Sequence, residues 1–153
     1  RPQKNDFRDC DVSAMLRDCV NLLGRSDEHQ ENHTIRLQVT DDLVLRGEEQ
    51  LLRQVFWNRS RNALQAMPDG GDLEISGELL EGDVVLKWRD IGVWMTEVFR
   101  RQAFEPFVTT LPVGTCLGHA VVYAAVAEHA GTIAIDSAPG RGTVVTVELP
   151  TNR

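Results

Sequence analysis

Wound at about 100° per residue, positions 48–67 separate into two sides. Leu52, Val55, Phe56, Ala63, Ala66 and Met67 form an apolar stripe, and Gln54, Asn58, Asn62 and Gln65 form an edge of amides beside it. The pattern predicts an amphipathic helix that Pro68 and Gly70-Gly71 bring to an end. Amides are poor packing material but suit a helix wall facing a polar cleft. Arg59 interrupts the stripe at its angular centre, where a charge is costly to bury unless it is paired.

The flanking patterns are simpler. Asp11 can cap a first helix whose inner face is Val12, Met15, Leu16, Cys19, Val20 and Leu23, with Gly24 as its stop. Ser26 to His33 reads as a polar loop, with His29 and His33 as solvated residues rather than metal ligands. Thr34 to Val39 alternates like a strand. Beyond the central helix come strands at Asp72–Leu79 and Asp83–Arg89, joined in hairpin fashion by Leu80-Glu81-Gly82. A further helix runs from about Leu117 to His129 and stops at Ala130-Gly131. A last hairpin pairs Thr132–Asp136 with Thr143–Leu149. Asp90 to Gly118 shows little periodicity apart from a short helical piece near Thr96 to Phe104, and so long a stretch inside a domain is expected to be functional or mobile. Three helices and about five strands in mixed order predict an α/β (α+β) two-layer sandwich, a mixed, largely antiparallel sheet under helices.

Composition changes this picture little. The 153 residues suit one domain, expected to span 11–150 after a lead-in at 1–10, and the 42% apolar and 25% charged fractions are those of a globular protein. A net charge of −7 argues against a nucleic-acid surface. Cys10, Cys19 and Cys116 are an odd set without paired spacing, so neither a disulfide frame nor a zinc site is expected, and a cytoplasmic setting is. The longest apolar run, 120–127, is far short of the roughly 20 residues that span a bilayer. The first residues lack the apolar segment of a signal peptide, so any membrane anchor of a parent receptor would lie outside this chain.

Four blocks in order carry a family resemblance: NRSRNALQAMPDGG at 58–71, DIGVWM at 90–95, FEPFVTT at 104–110 and GTCLGHAVVYAAVAEHAGTI at 114–133. The first, second and fourth resemble the N box, G1 box and G2 box of the ATP-binding catalytic domain of bacterial sensor histidine kinases, within the superfamily that includes gyrase, Hsp90 and MutL, and the third block matches in the family's order. DSAPGRGTVVTVELP at 136–150 matches as well. Within the family, the nitrogen- and pilus-type sensors look most similar. The resemblance implies ATP and Mg²⁺ as ligands, with Asn62 and beside it Asn58 offering amide oxygens to the metal. It implies Asp90 as acceptor for the adenine amino group, Gly92 as the point of backbone approach, and Thr143 reaching the ring edge through water. Gln65 would lie near the phosphates. Thr109, Thr110, Gly114, Thr115, Leu117 and Gly118 would belong to a mobile ATP lid and the helix start behind it.

The same resemblance implies partners: a dimerisation domain of the same protein bearing the acceptor histidine, and a response regulator. The isolated domain is expected to be monomeric, to touch neither nucleic acid nor membrane itself, and not to autophosphorylate alone. Several positions depart from the family pattern. Trp94 replaces the second G1 glycine, Cys116 the middle G2 glycine, Leu111 a common lysine and Arg59 an apolar N-box residue; His119 follows Gly118 in place of an apolar residue. These departures keep open a second reading, a degenerate domain that binds nucleotide weakly and serves as an interaction module. A third is a stand-alone serine kinase of the anti-sigma type, against which the FEPFVTT and AMPDGG blocks weigh.

Overall fold

The computed structural model describes residues 6–27, 29, 32–67, 69–91, 113–138 and 142–151, with backbone alone at 113–119, 137 and 138. In order these form β1 (Arg8–Asp11), α1 (Val12–Gly24), β2 (His33–Val39), β3 (Val44–Gly47), α2 (Glu49–Gln65), β4 (Gly71–Leu80), β5 (Asp83–Asp90), α3 (Val113–Glu128), β6 (Thr132–Ala138) and β7 (Gly142–Pro150). The expected helix near 96–104 lies outside the described residues.

The first two helices form where their N-terminal N–H groups are satisfied. The Asp11 carboxylate accepts from the Ala14 backbone N–H at 3.0 Å, and Val12, Met15, Leu16, Cys19 and Leu23 are buried behind it. Asp11→Ala is expected to lower stability by about 1 kcal/mol, the usual worth of such a cap, read as a drop in thermal midpoint. Glu48 caps α2 by accepting from the N–H groups of Gln50 and Leu51. Arg59, Ser60 and Leu64 are buried on α2 along with the expected Leu52, Val55, Phe56 and Ala63. The inner face is therefore broader than the apolar stripe, and Ser60 with Arg59 makes part of it polar.

The main sheet runs β2-β4-β5-β7-β6, parallel only between β2 and β4. A parallel pair needs a long crossover, and here the connection contains β3 and α2. The β4–β5 hairpin closes through Glu81 (φ 51°) and Gly82 (φ 86°), between paired Leu80 and Asp83. Two successive positive φ values are those of a type I′ turn, whose twist matches the strands. Val84, Val85 and Leu86 are all buried on β5, and beyond them side chains alternate, with Trp88 and Asp90 buried while Lys87 and Arg89 are exposed.

One core joins the inner sheet face to α1, α2 and α3. A small second sheet pairs β1 antiparallel to β3, from Arg8 opposite Gly47 to Asp11 opposite Val44. This pairing was not expected, because neither four-residue strand is long enough to show its period. It begins at Arg8, within the stretch set aside as a lead-in. His129 fastens it to the rest. Its Nε2 accepts from the Glu48 N–H at 3.0 Å, its Nδ1–H donates to the Ala125 carbonyl at 2.8 Å, and Phe7 stacks on the ring at 5.0 Å. Since a backbone N–H must donate and a carbonyl must accept, this geometry selects the neutral Nδ1–H tautomer. His33 also corrects the expectation of a solvated side chain. It is buried, and its Nε2 donates to the Met67 carbonyl at 2.7 Å, tying the start of β2 to the exit from α2.

Candidate functional site

α2 packs over the inner face of β5. Phe56 and Trp88 approach at 6.2 Å between ring centroids, and the Trp88 Nε1–H donates to Ser60 Oγ at 2.9 Å. These contacts seat the middle of α2 over the third residue from the end of β5. Two residues on, Asp90 lies on the same inner face at the strand's end, flanked in register by Leu73 of β4 and Thr143 of β7. Asp90 and Thr143 are each only 4% exposed.

Several polar atoms here lack hydrogen-bond partners among the described residues. They are Asn62 Nδ2 on the helix, Arg61 Nε beside it, Asp90 Oδ1 and Thr143 Oγ1. A buried unsatisfied polar group costs roughly 1–3 kcal/mol, so native folds keep few without a reason. The donors and acceptors gathered here suit a ligand with a polar ring edge and anionic groups. Arg61, which the sequence reading passed over, points its Nη2 at Asn58 Oδ1 across 3.5 Å, placing a cation on the amide edge. Its signal was the single arginine between Asn58 and Asn62 that does not fall on the apolar stripe.

Burial and charge set the protonation of the pair beneath this wall. Desolvation pushes the Asp90 carboxyl up to about 7, against the pull of the Arg59 guanidinium. Desolvation likewise lowers Arg59 to about 10, against the field of Asp90. The charge that interrupted the apolar stripe is buried, 5% exposed, and its opposite charge stands on β5. Backbone space is also fitted closely. Gly142 has φ 78°, and a Cβ there would stand 1.9 Å from the Asp90 carbonyl oxygen. No side chain fits between the start of β7 and the end of β5.

Of the residues expected to act, Asp90 and Thr143 are neighbours in register on β5 and β7, and Asn58 and Asn62 lie one turn apart on α2, the helix that packs on β5. Gln65 is the last residue of α2 and is exposed. Gly114, Thr115, Leu117 and Gly118 lie in the first two turns of α3, which starts at Val113 rather than near Leu117. Two glycines cost such a helix roughly 1 kcal/mol each, which the strongly apolar run behind them can offset. Gly92, Thr109 and Thr110 lie outside the described residues, as do Trp94 and Leu111; of Cys116 only the backbone is described. Among the described residues there is no cluster of His, Cys, Asp and Glu fit to hold a metal, so a metal here would rely on amide oxygens. The unsatisfied end of Asn62 among the described residues is its Nδ2 donor, which suits an anionic group rather than a metal.

Residues 47–153 match the family of histidine kinase-, DNA gyrase B-, and HSP90-like ATPases. The chain belongs to that family. Among curated relatives, sporulation kinase E of Bacillus subtilis is 36% identical over 98% of this chain, and the sensor histidine kinase ZraS of Klebsiella oxytoca is 30% identical over 99%. The matched part is 20% of the first and 33% of the second, so the chain spans about a fifth to a third of these relatives. Among solved structures, a nucleotide-free catalytic domain of the histidine kinase ThkA aligns with TM-score 0.84 over 95% of both chains at 24% identity. Full-length ShkA in complex with AMPPNP aligns with TM-score 0.82 at 25% identity, over 94% of this chain and 31% of that one.

The two-layer fold expected from the sequence is thus that of histidine kinase catalytic domains. This is an ATP-binding domain of the histidine kinase type, and the comparisons lend no support to the degenerate reading. No helix of the described residues is long and apolar enough to cross a membrane.

Proposed function

We propose that this domain binds Mg-ATP between α2 and the ends of β5 and β7, and presents the γ-phosphate to a histidine on a dimerisation domain of the same protein. The phosphoryl group would then pass to a response regulator. The observation that carries this reading is the group of unsatisfied polar atoms on Asn62, Asp90 and Thr143, at positions where the family resemblance puts its ligands. Asp90 accepts from the adenine amino group, Gly92 lets the backbone approach the ring, and Thr143 reaches the ring edge through water. Asn62 and Asn58 would be the residues to offer amide oxygens to the metal, Asn58 on release of its contact with Arg61, and Gln65 would lie on the phosphate side. Thr109, Thr110, Gly114, Thr115, Leu117 and Gly118 close over the phosphates. Bound Mg²⁺ would supply charge neutralisation for the triphosphate.

The chain's own contribution is positioning and electrostatics rather than covalent chemistry. The acceptor belongs to another domain. Within this chain His33 and His129 are buried and hydrogen-bonded, which suits structural roles rather than phosphoryl acceptance. On this reading residues 11–150 act as one monomeric unit on the cytoplasmic side of a receptor or in the cytoplasm.

Isothermal titration with Mg-ADP tests the binding. Heat with one-to-one stoichiometry is expected, together with a strong loss of affinity in Asn62→Ala. Absence of heat at millimolar nucleotide would overturn the reading. Transfer of phosphate from ATP to a serine of a partner protein would favour the anti-sigma-type alternative.

A further inference from the structure

Arg61 is a charge on α2 that the fold leaves without a counter-ion. Arg53, two turns earlier on the same helix, pairs with Glu49 at 3.6 Å and with Asp18 at 3.8 Å. Arg61 pairs with no carboxylate among the described residues. Its hydrogen bond there runs from Nη2 to Asn58 Oδ1 at 3.5 Å, at the long limit for such a contact. The side chain is half-buried, and its Nε is enclosed without a hydrogen-bond partner among the described residues. Nε–H and the neighbouring Nη2–H point the same way along one edge of the planar guanidinium, the edge that takes two oxygens of a carboxylate or phosphate side by side. In Arg61 one half of that edge is unused and the other is held weakly.

A second unsatisfied donor, Asn62 Nδ2, belongs to the next residue of the helix. Neither group can accept a hydrogen bond, so only an acceptor satisfies them, and beside a guanidinium an anionic acceptor does so best. The unsatisfied carboxylate oxygen, Asp90 Oδ1, is on β5 instead. Donors on the helix and an acceptor on the sheet suit a ligand with an anionic end and an amino-bearing end.

We propose that Arg61 binds the phosphates of the nucleotide, donating from Nε and Nη2 to two phosphate oxygens and leaving Asn58 as it does so. The inference rests on the reading of the cleft beside α2 as the nucleotide site, and adds to it the protein's own counter-charge, which the neutral Gln65 cannot supply. Withdrawal of Nη2 also frees the Asn58 amide oxygen, so phosphate and metal binding favour each other.

The test compares Mg-ADP, by isothermal titration, with adenosine, by NMR shift titration at millimolar concentration, for the unsubstituted chain, Arg61→Met and Arg61→Lys. Arg61→Met is expected to weaken Mg-ADP by about tenfold or more, the loss of a charge-assisted pair of hydrogen bonds, and to leave adenosine affinity as it is. Arg61→Lys keeps the charge without the fork and should fall between. In the parent the Arg61 Nε–H proton resonance should move downfield with Mg-ADP and stay in place with adenosine. Unchanged Mg-ADP affinity in Arg61→Met would overturn the proposal. An equal loss for Mg-ADP and adenosine would overturn it too, by making Arg61 a support of the pocket as a whole. Should Arg61→Met fail to fold, the parent's Nε–H resonance decides, and no movement at saturation with Mg-ADP counts against the proposal. If the parent binds no nucleotide, the functional reading falls and this inference with it; if the parent binds Mg-ADP and Arg61 takes no part, only this inference falls.

Discussion

Trp88→Ala is expected to lower the free energy of unfolding by about 3–5 kcal/mol, the range found when large aromatic side chains are deleted from well-packed cores. Trp88 is fully buried, at 0% exposure, and is among the largest buried side chains of the core. Its loss would remove the ring that Phe56 packs against and leave a cavity between α2 and β5. It would also take the indole donor from Ser60 Oγ, which is itself completely buried. The remaining neighbour of that hydroxyl is the Cys19 thiol at 3.7 Å, a weak donor. Trp88→Phe separates the two contributions, because it fills most of the volume and removes only the donor. It should cost about 1–3 kcal/mol, the desolvation penalty of a buried hydroxyl left short of a partner. Urea unfolding checks both variants, with the midpoint falling and the slope unchanged if only the native state is affected. A loss below 1 kcal/mol in Trp88→Ala would mean that α2 can settle onto the sheet without this side chain. Nucleotide affinity should fall as well, since Trp88 seats the helix that carries Asn58 and Asn62.

How much of this could be read in advance differs from residue to residue. The amide edge and the stripe of α2 were legible because a helix of 17 residues repeats its period several times. The β4–β5 hairpin was legible because Glu81-Gly82 is a turn dipeptide with few alternatives. The β1–β3 pair was not, since four residues carry too little periodicity to set against the polar Arg8, Asp9 and Arg46. The histidines show a different limit. His33 lies next to a polar, charged stretch and looked solvated, yet its ring nitrogen finds the Met67 carbonyl at a place only tertiary structure determines. His129 was read only as the end of a helix, and its partners Phe7 and Glu48 are distant in sequence. Asp90 and Asn62 were found through their order among the four motif blocks. That their polar atoms are buried without partners among the described residues is a fact of packing, and no sequence pattern contains it. Arg59 lies between these cases: the helical period exposed it as an anomaly, and only the structure supplied the carboxylate facing it.

Stability and ligand readiness are expected to oppose each other at that pair. Asp90 holds its proton more tightly in the folded chain than in the unfolded one, with a pKa raised from 3.8 to about 7. Its contribution to stability is therefore fully present below about pH 4 and lost as the pH rises through about 7. At roughly 1.4 kcal/mol per unit, the upper bound of that loss is about 4 kcal/mol across the window. Asp90→Leu removes the loss but leaves the guanidinium buried with the carboxylate charge gone, and should destabilise by about 3–5 kcal/mol near neutrality. Arg59→Met should cost less at pH 6 than at pH 8, because Asp90 can still take up a proton at the lower pH. The double variant Arg59→Met/Asp90→Leu is then expected to lie within about 1 kcal/mol of the parent or above it, since hydrophobic replacements for buried opposite charges are often neutral or stabilising. Denaturant unfolding of all four proteins at both pH values gives the interaction energy of the cycle. Simple additivity of the two single losses would show that the charges do not act on each other. With coupling present, the double variant should fold well and bind no nucleotide. That outcome would make the buried carboxylate a burden on the fold, retained because it is the acceptor a ligand needs.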